Sequence, residues 1–161
     1  MTEDEIIEYV SGLPGTVATT AAEGDGSPEM AWGDSFFFYN PGGDGVPQGQ
    51  LPYATIVTKD YEGFDSASDL NRPGVFRLNI AVGRARFQEL VGFPPAAHED
   101  HRPGIDYTVL DRILPHPLYA TQSWICVLNP GEVTGPQVHA LLGQAHTHAA
   151  RRHRPQERPL T

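Results

Sequence analysis

The spacing of apolar residues changes period several times along the chain, and each change marks an element. Ile6, Ile7 and Val10 share one helical face in residues 3 to 12, behind acids that suit a helix N-terminus. Thr2 and Glu5 have capping-box spacing, and Gly12 stops the helix. "TVATTA" (16 to 21) is β-branched and predicts a strand, closed by the turn "EGDGSP". "EMAWGDSFFFY" (29 to 39) predicts a second strand, with Trp32, Asp34, Phe36 and Phe38 on one face. After the loop "NPGGDGVPQGQ", "YATIVTK" (53 to 59) predicts a third. A short helix at most is expected around Ser66 to Leu70.

Alternation is clearest in "GVFRLNIAV" (74 to 82), where Phe76, Leu78, Ile80 and Val82 point one way and Val75, Arg77, Asn79 and Ala81 the other. Phe87, Leu90 and Val91 predict a helix over 83 to 93, and the proline-rich "FPPAAHEDHRPG" reads as an irregular linker. Val109, Leu110, Ile113 and Leu114 predict a short helix over 106 to 116. "SWICVLNPG" (123 to 131) predicts the last strand. The last helix, 134 to 153, has Val138, Leu141, Leu142 and Ala145 as its inner stripe. Strands in a block with helices mostly after them predict one α+β domain over residues 1 to 150, an antiparallel sheet of about five strands with helices on one face. Residues 151 to 161 read as a basic, flexible tail carrying Arg151, Arg152, Arg154 and Arg158.

The stretches "AWGDSFFFY", "ATIVTKDYEGFD", "RPGVFRLNIAVGR", "LPHPLYA" and "WICVLNPGE" resemble a bacterial family known as domain of unknown function family 6194. The resemblance covers residues 1 to about 150 and implies no particular activity. At a coarser level the element order is similar to that of the MmcQ/YjbR-like proteins, most clearly over "SWICVLNPGEVTGPQVHALLGQAHTHAA". That similarity implies a leading helix, a compact antiparallel sheet, and a Trp-containing strand ahead of a C-terminal helix. It also brings the label of a DNA-binding-type fold.

Charge weighs against that label. The 161 residues carry a net charge of −9, which phosphate backbones repel. With 39% hydrophobic residues and an acidic N-terminus, neither a membrane span nor a secretory leader is expected, and the expected location is cytoplasmic. Cys126 is the single cysteine, inside an apolar strand, which suits a small core residue better than a thiolate nucleophile. No phosphate-binding or dinucleotide loop is present, and no cofactor is implied.

Candidate chemistry gathers around Arg77 and Asn79. A guanidinium and a carboxamide on one strand face suit a pocket for a small polar or anionic molecule, with Asp34 opposing Arg77 and with Trp32 and Phe36 as an aromatic wall. Lys59 is the only lysine; its acidic neighbours Asp60, Glu62 and Asp65 keep it protonated, so it suits a fixed charge and not a nucleophile. "LPHPLYATQ" holds His116 and Tyr119 at a pocket rim. His98 and His101 have ligand spacing, and His116 is the best candidate to complete a triad, but the flanking prolines make this a linker and force no third ligand near it, so no metal site is expected. His139, His146 and His148 read as a solvated helix surface.

The sequence therefore favours a non-catalytic binding module for a small polar or anionic ligand, or for a protein partner or second copy. The candidate residues are Trp32, Asp34, Lys59, Arg77, Asn79 and His116. The alternative is a cofactor-free enzyme using acid–base residues on the sheet face, with nucleic-acid binding third.

Overall fold

A computed structural model describes residues 1–43 and 45–153. Arg154 and Arg158 of the basic tail lie outside the described residues, whereas Arg151 and Arg152 end the last helix. Helix α1 (Glu3–Ser11) begins with the capping box of Thr2 and Glu5 and buries Ile6 and Val10. Six strands follow, interrupted by helices: β1 (Thr16–Thr20), β2 (Ser35–Tyr39), β3 (Ala54–Val57), β4 (Arg77–Ala81), β5 (Ile113–Pro115) and β6 (Trp124–Leu128). Helices α2 (Arg84–Val91) and α3 (His98–His101) lie between β4 and β5, and α4 (Gly135–Arg152) closes the chain.

All strand pairs are antiparallel, in the order β1-β2-β3-β4-β6-β5. The two faces differ because side chains alternate across a strand. On one, Phe37, Ala54, Ile56, Leu78, Ile80, Ile125 and Val127 form a single core with Ile6 and Val10 of α1, Phe87 of α2 and the Val138, Leu141, Leu142 and Ala145 stripe of α4. The other carries a smaller cluster, Leu70, Leu114, Cys126 and Leu128. Beside that cluster the register aligns Phe36 with Thr55, Thr55 with Asn79, and Asn79 with Cys126, so polar groups sit in the middle of this second face.

Two expectations need correction. Residues 29 to 34 are not strand: Glu29–Ala31 is a 3-10 turn, and Gly33, at φ 91°, swings the chain into β2. Ser66 to Leu70, where a short helix at most is expected, is a loop tied by Asp60, whose Oδ1 accepts from the Leu70 amide at 2.7 Å. Residues 106 to 116 are not a helix. Asp111 adopts φ 53°, and its carboxylate accepts from the amides of Gly131, Val133 and Thr134 at 2.8–3.0 Å and from the Thr134 hydroxyl at 2.6 Å. Those bonds anchor the turn ahead of α4 and leave Ile113–Pro115 to pair as a sixth strand. The linker before it is more ordered than its prolines suggest, with α3 flanked by 3-10 turns.

Candidate functional site

A cavity of about 320 Å³ opens on the face of the sheet opposite the main core. Its floor is polar. Arg77 is the largest fully buried side chain among the described residues, and Asn79 is 2% exposed. Two residues apart on β4, they face the same way and bond to each other, Arg77 Nε donating to Asn79 Oδ1 at 2.8 Å. Asn79 Nδ2 donates to Thr55 Oγ1 on β3 at 2.9 Å, which fixes the orientation of the amide.

The rest of the guanidinium is held by the loop after β3. Nη1 donates to Asp65 Oδ1 at 3.0 Å and to Ser68 Oγ at 2.9 Å, and Nη2 donates to Asp65 Oδ2 at 2.5 Å. The Tyr61–Asp65 bridge shapes this loop so that the carboxylate turns inward. Burial alone would push Arg77 down, but neighbouring groups, the Asp65 carboxylate foremost among the carboxylates, offset it and the guanidinium stays charged.

His116, directly after β5, completes the floor. It is 2% exposed, and its Nε2 lies 3.3 Å from Arg77 Nη2. Its Nδ1 receives the amides of Leu118 and Tyr119, each at 3.0 Å. Burial, with the Arg77 charge beside it, holds the imidazole well below the usual histidine range, so the ring is neutral at neutral pH. Cys126, on the neighbouring strand, is completely buried and its thiol is pushed up to about 12 by burial, which rules it out as a nucleophile.

The walls and rim are apolar. Phe36, Val57 and Trp124 flank the floor, and Leu51, Phe64 and Tyr119 stand at the mouth. Leu51 is 80% and Phe64 61% exposed, so the mouth presents apolar surface to solvent.

Arg77, Asn79 and His116 thus meet in one cavity, while Trp32, Asp34 and Lys59 do not line it. Trp32 leaves the sheet at the Gly33 turn and its Nε1 donates to Ser27 O at 3.3 Å. The Lys59 ammonium donates to the Trp32 carbonyl and lies on a separate, more open groove of about 600 Å³ beside Met1 and Arg72. Asp34 is fully buried but does not oppose Arg77; it accepts from the Thr58 amide and hydroxyl at 2.9 and 3.0 Å and from the Tyr61 hydroxyl. Burial and the Asp34 hydrogen bond both push the Tyr61 phenol upward. The counter-charge to Arg77 is instead Asp65, which sits in an irregular loop where no periodicity marks it. Thr55 had a signal, since its parity in "YATIVTK" and the pairing of neighbouring strands put it beside Asn79.

The remaining histidines have structural partners. His98 Nε2 is 2.7 Å from the Tyr107 hydroxyl, and His101 stacks on Phe93. Of the α4 histidines, His139 packs edge-on against Tyr9, and half-buried His146 packs against Tyr39 and Tyr53, so the helix surface is less solvated there than its polarity suggests.

An open six-stranded antiparallel sheet, backed by helices and carrying a cavity on its free face, defines the class: an α+β protein whose fold is like that of the DUF419, or MmcQ/YjbR-like, proteins. A crystal structure of the Deinococcus radiodurans protein DR2400, a DUF419 protein, is similar over 96% of this chain and 83% of that chain, with a TM-score of 0.51 and 15% identity. At that identity the likeness shows the fold alone. The chain belongs to the family of unknown function DUF6194, whose model matches residues 1–158. No curated protein matches it. Among the described residues no helix is long and apolar enough to cross a membrane.

Proposed function

We propose that the protein is a binding module for a small molecule with an apolar body and a polar head, held in the cavity over Arg77, Asn79 and His116. One observation carries the reading: a hydrogen-bonded polar floor, almost wholly removed from water, lies under an open space of about 320 Å³ with an apolar mouth. A buried ion pair is often no better for stability than apolar residues of the same volume. Placing one beneath a cavity, with Leu51 and Phe64 exposed at its edge, suits a ligand that needs both surfaces. The fork of Arg77 grips Asp65, so the pocket does not depend on a doubly bonded anion as its occupant.

Acid–base catalysis on the same face has less support. His116 has its Nδ1 occupied by two amides, Asp34 is engaged by Thr58 and Tyr61, and Asp65 by Arg77. Nucleic-acid binding has the net charge of −9 against it.

The test is a thermal-shift screen against neutral and anionic metabolites, with the cavity read separately by fluorescence. Trp124 lines the cavity and Trp32 does not, so in the variant Trp32→Phe the remaining indole reports on the cavity and on the adjoining groove of about 510 Å³ that Trp124 also lines, and the His116 ring, which lines the cavity and not that groove, tells the two apart. Stabilising compounds that also change Trp124 emission saturably support the reading; a ligand at a hundred times its Kd adds about 2.7 kcal/mol. A set of stabilising compounds that leaves that emission unchanged overturns it.

A further inference from the structure

His116 has more hydrogens aimed at it than a neutral ring can accept. The amides of Leu118 and Tyr119 point at Nδ1 at 3.0 Å, and the Arg77 guanidinium points at Nε2 at 3.3 Å. A neutral imidazole must itself carry a proton on one of these nitrogens. Placing it on Nδ1 breaks two backbone hydrogen bonds in a turn locked between β5 and β6, where the His116 amide donates to Trp124 O and the Ala120 amide to His116 O. Placing it on Nε2 sacrifices only the Arg77 contact, the longest of the three. The ring is therefore the Nε2–H tautomer.

Arg77 is then short of one acceptor. Four of its five N–H groups have oxygen partners: Nε on Asn79, Nη1 on Asp65 and Ser68, and one hydrogen of Nη2 on Asp65. The last Nη2–H and the His116 Nε2–H face each other, two donors at the cavity floor with no acceptor from the described residues between them. Leaving a buried donor unsatisfied is costly, and one oxygen shared by both removes the cost twice. From this hydrogen count we infer that the floor receives an acceptor oxygen of the ligand, held jointly by His116 Nε2–H and Arg77 Nη2–H, and that the ligand is an uncharged carbonyl compound. The second half follows from charge. The Arg77 guanidinium is already matched by the Asp65 carboxylate, and a second carboxylate, Asp34, is bonded to Tyr61 on the cavity wall. A carboxylate ligand would find no uncompensated cation; a ketone, ester or amide oxygen loses little on desolvation and gains both donors.

This inference rests on the binding-module reading and names the head group. Its test starts without ligand. Nitrogen-15 spectra of the histidine rings, assigned with His116→Gln, should show His116 as Nε2–H; an Nδ1–H ring overturns the inference and leaves the cavity reading standing. Three probes of one size then follow, acetophenone, benzoate and ethylbenzene, titrated while the Trp124 indole and His116 ring signals are observed. Acetophenone should bind roughly tenfold or more tighter than either of the others and move the His116 Nε2 signal. Equal binding of ethylbenzene overturns the acceptor site but keeps the cavity as a binding site. Tighter binding of benzoate overturns the uncharged head group. If none of the three moves the Trp124 indole, both readings fail.

Discussion

Asp65 meets Arg77 end-on, each carboxylate oxygen on a different terminal nitrogen of the guanidinium, at 3.0 and 2.5 Å. The side chains are 9% and 1% exposed, so each charge depends mainly on the other. Removing one partner strands the other. Asp65→Ala should destabilise the protein by about 3–5 kcal/mol, the range for breaking a buried pair. The double change Arg77→Met with Asp65→Leu should recover most of that loss, since matched apolar groups need no desolvation. Urea denaturation of the single and double variants checks both statements. A small loss for Asp65→Ala would mean that water reaches the guanidinium.

Much of this arrangement was legible in the sequence, and the limits have physical causes. Strand β4 alternates strictly, so Arg77 and Asn79 could be placed on one face opposite Leu78 and Ile80 from spacing alone. The capping box and the inner stripe of α4 were equally explicit, because a repeating period is a local signal. Two errors arose where a single residue overrides the period. At Gly33, with φ 91°, an added Cβ would come within 3.2 Å of Thr58 Oγ1, and the turn there removes Trp32 from the sheet face. At Asp111 a left-handed conformation breaks an apolar pattern that fits a helix. Asp65 and Ser68 were invisible for another reason. They reach Arg77 from an irregular loop, and only the folded chain shows which loop residue meets which strand.

The Asp111 carboxylate does in tertiary structure what an N-cap does locally, since four donors from Gly131 to Thr134 converge on it. Those hydrogen bonds hold its carboxyl well below the usual range, the Thr134 hydroxyl contributing most. Asp111→Ala should cost about 1–2 kcal/mol, comparable to loss of a helix cap, discounted because the site is partly solvated. Asp111→Asn should cost less, because its oxygen still accepts and asparagine tolerates the left-handed region. Thermal melts of both variants decide the order; equal losses would show that charge, not hydrogen bonding, holds the turn.

Acid should weaken the fold through His116. Its folded pKa lies below the ordinary value of 6.5 because burial and Arg77 disfavour the cation. The unfolded chain then binds the extra proton first, so stability is complete above about pH 6.5 and falls as pH drops below it. Protonation also puts a hydrogen on Nδ1, where the Leu118 and Tyr119 amides already point. His98 is shifted the same way, by burial first and Arg102 next, and adds to the slope. Urea midpoints measured from pH 7.5 to 5 should decline in the wild type and decline less in His116→Gln. Parallel curves would show that the ring is not neutral in the folded state.

The rim separates binding from stability. Leu51 and Phe64 are 80% and 61% exposed at the cavity mouth and contribute little to the core. Leu51→Ser and Phe64→Ser should each shift unfolding by no more than about 0.5 kcal/mol, the usual range for surface changes. Each removes apolar area from a bound ligand, and losing a contact worth about 1.4 kcal/mol weakens binding tenfold. Combined, the two substitutions should therefore lower affinity for acetophenone markedly while leaving the melt nearly unchanged. Thr55→Val acts at the other end of the cavity: it removes the acceptor of the Asn79 amide, which should cost stability by about 1–3 kcal/mol as the buried amide loses its partner. Rim variants that melt early but bind normally would place Leu51 and Phe64 in the structural core and take the ligand's apolar body away from the mouth.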